Sequence, residues 1–390
     1  MNINLSIKDK RLFKLILFFP LLYLWYAFLT NSSEMRVFYF LYSALVFFVY
    51  FFTGKKISIK KNAFLFIIII IVNLFIDILL FPQSESIPEA ILLAVFFLYS
   101  FMYSDEQLRK KYLVFLVNEH RKIFYVYILY FLGIALTIFL NIGITYDWGT
   151  TSLQGPYGLA HIFAYELMIM ATNAYLLYKY RNKKIWAVFA AIMVILMLLT
   201  SVRTTALSLV VIIGYYFIAK RDWKKFVYLI LGVVVVLLLL QYTSLFNTLI
   251  EKTNNAAETG DSTNARLVIW PSSFQLFANS DFIHKIFGNG MQALMEHNLR
   301  YVRMRIHAHN DFLDALSGYG LVSFVLYMFS FIKCSKGRGW LGFVLAYIVL
   351  AFFNGLYADC SFVISLISFR LLFDTLNIER LSDWSKCCDR

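Results

Sequence analysis

Stretches of about 20 mostly apolar residues recur from Leu12 to Leu376, each long enough to cross roughly 30 Å of hydrocarbon as a helix. No other feature limits the fold as tightly. A bilayer core offers backbone groups no water, so a spanning segment must close its own hydrogen bonds, as a helix does, or join a closed barrel. Runs such as Ile67 to Ile71 and Val233 to Leu240 are apolar on every face, which excludes the in-and-out alternation of an outer-membrane barrel. The chain of 390 residues is 61% hydrophobic and 15% charged, too few polar groups to cover a soluble core of that size. An all-α integral membrane protein follows.

The spacing predicts about twelve spans, near 12–30, 37–54, 62–81, 90–104, 123–143, 161–179, 185–200, 204–219, 226–245, 311–332, 340–357 and 361–377. Five connections are basic: Lys55 to Lys61, Arg109 to Lys122, Arg181 to Lys184, Lys220 to Lys225, and Lys336 with Arg338. The positive-inside rule assigns these to the cytosol. The intervening connections, at Asn31 to Glu34, Pro82 to Glu89, Thr145 to Gly158, Ser201 to Arg203, Ser244 to Asn310 and Tyr357 to Asp359, are poor in lysine and fall outside. Both termini are then cytosolic, in the topology of a bacterial cytoplasmic-membrane protein. The tight connection near Ser201 is a turn or a re-entrant feature, and residues 105–122 read as an interfacial or a plain connecting helix. In a soluble chain a formal charge of +13 would raise the question of nucleic acid; here it is a topology signal, and no nucleic-acid partner is expected. The first apolar stretch follows Lys8, Lys10, Arg11 and Lys14 without a small-residue cleavage site, so it reads as a retained span. Cys334, Cys360, Cys387 and Cys388 have neither metal-ligand spacing nor a disulfide framework.

The chain thus divides into residues 1–245 (spans one to nine), 246–310 (one large external loop) and 311–390 (spans ten to twelve with a cytosolic tail). A connection of about 65 residues is uncommon unless it serves a function. This one carries Lys252, Arg266, Lys285, Arg300, Arg303 and Arg305 on the translocated side, against the usual charge bias. Such a concentration suggests an anionic ligand.

The segment from 300 to 323, RYVRMRIHAHNDFLDALSGYGLVS, places His307 and His309 beside Asn310 where span ten begins. Asn310 suits an N-cap, and Asp311 and Asp314 suit the first turn through the helix dipole. Capping does not explain two of only six histidines standing together next to arginines. A neutral His309 can take the proton of an attacking hydroxyl. Arginines hold pyrophosphate and stabilise it as a leaving group, and the helix start at Asn310 adds donors for a phosphate. These are the parts for metal-independent glycosyl transfer, and the chain has no acidic DxD cluster for a divalent cation.

His309-Asn310 with Gly320 after nine further residues resembles the H-N and spaced-glycine motif of the O-antigen polymerase and ligase superfamily. Gly320 to Ser323 departs from the ligase pattern G-x-x-G at its last position. Arg203 and Leu207 in SVRTTAL resemble the R-x3-L motif at the outer end of a span; Arg266 and Trp270 in STNARLVIW, with FGNG at Phe287 to Gly290, resemble the loop pattern. GPYGLAH at Gly155 to His161 is similar to the external turn before a span, with His161 where an asparagine often stands. The resemblance covers roughly 200–323. It implies a GT-C-like glycosyltransferase that uses undecaprenyl-pyrophosphate-linked oligosaccharides as donor and acceptor, with membrane lipids around it and no cofactor. Under it His309 is the catalytic base, Arg203 and Arg266 bind pyrophosphate, and Arg303, Arg305, His307 and Asn310 support substrate binding. A chain-length regulator is a candidate partner.

The incomplete G-x-x-G favours a polymerase that joins repeat units of O-antigen or capsular polysaccharide; a ligase that transfers the glycan to lipid A-core is the alternative. A glycolipid flippase is the reading of another class, for which charges should line several spans. Within the spans, Asn73 with Asp77, Glu166, and Arg370 with Asp374 need partners or a function; Asp77 and Glu166 are candidates to touch sugar hydroxyls, and Arg370 with Asp374 reads as a structural pair. Tyr146, Trp148, Tyr157 and Tyr301 are external aromatics, suited to interfacial anchoring or to stacking on sugars.

Overall fold

A computed structural model describes residues 5–30, 35–52, 61–80, 86–147, 150–220, 224, 227, 266–303 and 305–376. All of the ninth expected span except residue 227, together with Trp148, Lys252, Cys387 and Cys388, lies outside the described residues. In chain order the helices are α1 (Ile7–Leu29), α2 (Met35–Phe52), α3 (Lys61–Leu80), α4 (Ser86–Tyr103), α5 (Glu106–Asn118), α6 (His120–Phe139), α7 (Ala160–Arg181), α8 (Lys184–Leu199) and α9 (Arg203–Lys220). Then follow α10 (Arg266–Asn279), α11 (Phe282–Phe287), α12 (Met291–Val302), α13 (Asp311–Ser335), α14 (Trp340–Phe353) and α15 (Cys360–Thr375). Among the described residues five helices, α1, α2, α6, α9 and α13, are long and apolar enough to cross a membrane, and α4 with α5 adds a sixth if that bent pair is one span. The protein is an α-helical multi-pass membrane protein. Leu41 and Phe48 of α2, Phe75 of α3, Leu129 of α6, and Val325 and Phe329 of α13 point outward, as side chains facing lipid tails can.

Two elements depart from straight spans. A short antiparallel hairpin, β1 (Ile144–Asp147) with β2 (Thr150–Leu153), occupies the connection before α7 and pairs Ile144 with Leu153. Helix α5 turns 83° from α4 and fills much of the 105–122 segment. It buries Leu108, Tyr112, Leu113 and Phe115 on one side and packs on α1, α7 and α15, which draws Arg109 inside as well. There Arg109 Nε meets Asp374 Oδ2 at 2.6 Å, while Arg370 pairs with Asp374 Oδ1 at 2.9 Å. Arg370 also donates to the carbonyls of Cys334 at 3.0 Å and Arg338 at 2.9 Å. The pair expected within α15 is therefore a three-member cluster that ties α5, α13 and α15 together, and its hydrogen bonds offset the cost of burying charge.

Every residue of α15 is buried, and it packs on α7, α1, α4 and α14. Its serines permit close approach and supply hydroxyls to neighbours. Glu166 of α7 accepts hydrogen bonds from Ser361 at 2.5 Å and from Tyr130 and Tyr157 at 2.6 Å. The sugar contact considered for Glu166 gives way to this internal role, since three protein hydroxyls occupy its carboxylate. Asn73 donates to Asp77 at 3.3 Å and to Ser323 of α13 at 2.7 Å, so the residue that breaks the G-x-x-G pattern is used to join α3 to α13.

The 266–302 part of the large loop is helical, and it closes onto the start of α13. That helix is interrupted by a π turn over Asp314–Gly318 and by Gly320 at φ 75°. Gly290, after Gly288 at φ 91°, donates its N–H to the Gly318 carbonyl at 2.8 Å. A Cβ on Gly320 would stand 2.3 Å from the Gly288 nitrogen, and one on Gly288 would stand 2.3 Å from the Gly318 oxygen. The FGNG segment and the spaced glycine therefore form one backbone-to-backbone contact. Gly320→Ala should lower the melting temperature of the purified protein far more than Gly158→Ala. Both positions have positive φ and share a strain of about 1–3 kcal/mol, but a Cβ at Gly158 meets nothing within 4 Å.

Candidate functional site

The N-terminus of α13 organises the site. Asn310 is the N-cap, its side chain accepting from the N–H groups of Phe312 at 3.0 Å and Leu313 at 3.2 Å. It is 1% exposed, and its side chain serves the helix start. Asp311 Oδ2 accepts from Tyr327 at 2.6 Å and Oδ1 from the Leu356 N–H at 2.7 Å, which fixes the α14–α15 connection against this helix. Asp314 turns back to the preceding segment, accepting from the Ala308 N–H at 2.8 Å and meeting His307 Nδ1 at 2.8 Å. The dipole argument does not capture this, because Asp314 binds a histidine and a backbone amide.

The segment before the cap is held from the other side by the loop helices. Trp270 of α10 donates to the Ala308 carbonyl at 3.1 Å, and Asn298 of α12 donates to the Ile306 carbonyl at 2.8 Å. Just after these anchors His309 adopts φ 51°, a strained backbone for a residue with a Cβ. The rings of His307 and His309 lie 4.1 Å apart.

Both histidines line a cavity of about 640 Å³ with Arg305, His161 from the start of α7, and Asn354 and Tyr357 from the α14–α15 connection. Three of the six histidines of the chain meet in it. Asn354 joins the remaining parts. Its Oδ1 accepts from Arg266 at 2.9 Å, and its Nδ2 lies 2.5 Å from the Thr204 hydroxyl and 3.2 Å from His161 Nδ1. Arg266 is thereby tied to the cavity wall, and Arg203 is the chain neighbour of a residue that touches the same asparagine. Arg303 ends α12 at φ 61° and is exposed, outside the cavity lining given by the described residues. Sequence reasoning missed Asn354 altogether and treated His161 as a departure; the rarity of histidine was the available signal for the latter. Among the aromatics expected outside, Tyr157 lines the cavity at 1% exposure, whereas Tyr301 is 67% exposed.

The two neighbouring imidazoles are driven apart electrostatically. Burial pushes His309 down to about 2, helped by the positive charge of His307, His161 and Arg266. Burial also acts to lower His307, but the Asp314 carboxylate outweighs it and leaves this group raised above 6.5. One ring is thus held neutral while the other is shifted toward the cation, the separation expected of an acid and base pair.

Residues 188–328 match the family model described as O-Antigen ligase, a range that contains the sequence motifs from Arg203 to Ser323 and supports the O-antigen ligase and polymerase superfamily. No curated protein and no solved structure matches the chain.

Histidine NMR of the purified protein should find His307 titrating above 6.5, and His309 neutral throughout the range in which the protein stays folded. Asp314→Asn removes the charge that raises His307. Its midpoint should then fall below 6.5, with His309 still neutral.

Proposed function

We propose that the protein is a glycosyltransferase of the cytoplasmic membrane that polymerises lipid-pyrophosphate-linked oligosaccharide repeat units at its outer face. The observation that carries this reading is the convergence of His307, His309 and Arg305 from the loop, His161 from another connection, and Arg266 through Asn354 on one cavity. The twelve-span topology with both termini cytosolic and the GT-C-like architecture belong to the same proposal. It is supported by the alternation of basic and lysine-poor connections.

In this reading the undecaprenyl tail of the donor stays in the bilayer, and its pyrophosphate lies toward Arg203, Arg266, Arg305 and the His307 cation. His309 takes the proton of an acceptor hydroxyl as its oxygen bonds to the anomeric carbon. The bond from that carbon to the pyrophosphate oxygen breaks, and the leaving lipid pyrophosphate keeps the electron pair under the stabilising charge of arginine and imidazolium. Burial remains, but a bound pyrophosphate offsets the positive charge that adds to it in holding His309 down, so the base strengthens when donor is present. No metal is needed in this scheme, because cationic side chains supply the charge.

The family description favours a second reading, a ligase that passes the lipid-linked glycan to lipid A-core. Incubating the purified protein with defined lipid-pyrophosphate repeat units separates the two: longer lipid-linked glycans identify a polymerase, and product only with lipid A-core identifies a ligase. Absence of both, with lipid-linked substrate moving across vesicles, would overturn the enzyme reading in favour of a flippase. His309→Ala should cut turnover by about 10²–10⁴-fold while leaving membrane insertion intact. Because the charged form of His307 is the working one and its pKa is raised, activity should be lost as pH climbs through that value. Asp314→Asn should move this alkaline limb to lower pH.

A further inference from the structure

The same cavity is lined by a second group of residues that the transfer scheme does not use: Tyr23 of α1, Arg36 of α2, Glu89 of α4, Tyr157, and Asp359 just before α15. Their chemistry differs from that of the histidine and arginine group. Arg36 and Glu89 form an ion pair at 2.6 Å, Glu89 being 14% exposed at its side chain and Arg36 52%. Asp359 caps α15, with Oδ1 accepting from the Phe362 N–H at 2.8 Å. Its second oxygen, Oδ2, has no hydrogen-bond partner among the described residues, although the residue is only 5% exposed. Leaving a buried carboxyl oxygen unmet is costly, and such an atom in a cavity wall calls for a ligand that hydrogen-bonds to it. Tyr23 and Tyr157 stack at 5.4 Å with 24° between their planes, and the bond from Tyr157 to Glu166 holds that ring in place.

Arg36 is compensated by Glu89, so these walls leave no excess positive charge to hold a second pyrophosphate. The ligand that suits them is neutral and rich in hydroxyls. Sugar hydroxyls can pair with the carboxyl groups and Arg36 donates to ring or hydroxyl oxygens, while the packed rings of Tyr23 and Tyr157 fix the shape of the wall. We infer that Tyr23, Arg36, Glu89, Tyr157 and Asp359 form the subsite for the neutral terminal sugar of the acceptor glycan, facing the same cavity as the base His309. This rests on the proposed glycosyl transfer and assigns its acceptor side. It predicts that uronic-acid or otherwise anionic terminal sugars are poor acceptors.

The test uses the full-length protein in detergent or nanodiscs and the free oligosaccharide released by mild acid from a repeat unit that the wild type extends. Binding of this phosphate-free, lipid-free probe should weaken at least tenfold in Glu89→Gln and in Asp359→Asn. The acceptor KM should rise by a similar factor, with binding of sugar-free undecaprenyl pyrophosphate unchanged. Arg266→Gln should do the reverse, weakening the lipid pyrophosphate and sparing the free glycan. Asn remains a good N-cap, so Asp359→Asn should keep its fold; if its melting temperature collapses, Glu89→Gln alone decides. Wild-type turnover with glycan binding and acceptor KM unchanged in Glu89→Gln overturns the subsite while leaving the transferase intact. Absence of any turnover in the wild type overturns the transferase reading instead.

Discussion

At membrane depth every backbone polar group must find a partner within the protein, and the start of α13 is where this demand is hardest to meet. The helix is broken there by a π turn and by Gly320, so its ladder of hydrogen bonds is incomplete. The loop supplies what is missing: the Gly290 N–H bonds the Gly318 carbonyl, and Asn289 donates to the Ser317 carbonyl at 3.2 Å. Two glycines in contact let the two backbones approach closely enough for this. Once the loop is seated, α10 and α12 are in reach of the residues before the cap, and Trp270 and Asn298 take hold of the histidine segment. The geometry of the site thus descends from the repair of one interrupted helix.

Much of this was readable before any coordinates, and the reason is locality. Asn310 as a cap, Arg266 and Trp270 on one helix, and a helix start at Arg203 depend on residues a few positions apart, where pattern and propensity speak directly. Asn354 carries no such local signal. Its partners stand 88, 150 and 193 positions away, and an asparagine at the end of an apolar helix looks like an ordinary helix terminus. Asp314 was misjudged for another reason: a carboxylate in a first turn already has a sufficient explanation in the helix dipole, which concealed its bond to His307. The sideways course of α5 was likewise hidden, because a mixed charged and apolar segment suits a helix lying at an interface as well as one tucked inside. The charged partner that meets Arg109 inside, Asp374, stands far along the chain.

The cavity brings opposite electrostatic demands together in a small space. Positive groups cluster around His309 and, together with its burial, suppress its protonation. A single buried carboxylate, Asp314, keeps the two histidines from behaving alike. Glu89 of α4, paired with Arg36, and Asp359 before α15 reach the same cavity, so one part of its lining is rich in cations and the other is balanced. Such a division orients a substrate that is anionic at one end and neutral at the other.

Helix α15 has no side chain facing lipid along its whole length. It begins at Asp359 in the cavity wall and, near its other end, enters the ion cluster of Arg109, Arg370 and Asp374. A peripheral helix can tilt to suit a thicker or thinner bilayer, but one enclosed on all sides and pinned at both ends cannot. The protein therefore has a fixed internal height. When membrane thickness changes, the surrounding lipid must deform to meet it, and the depth of the cavity relative to the ion cluster stays constant.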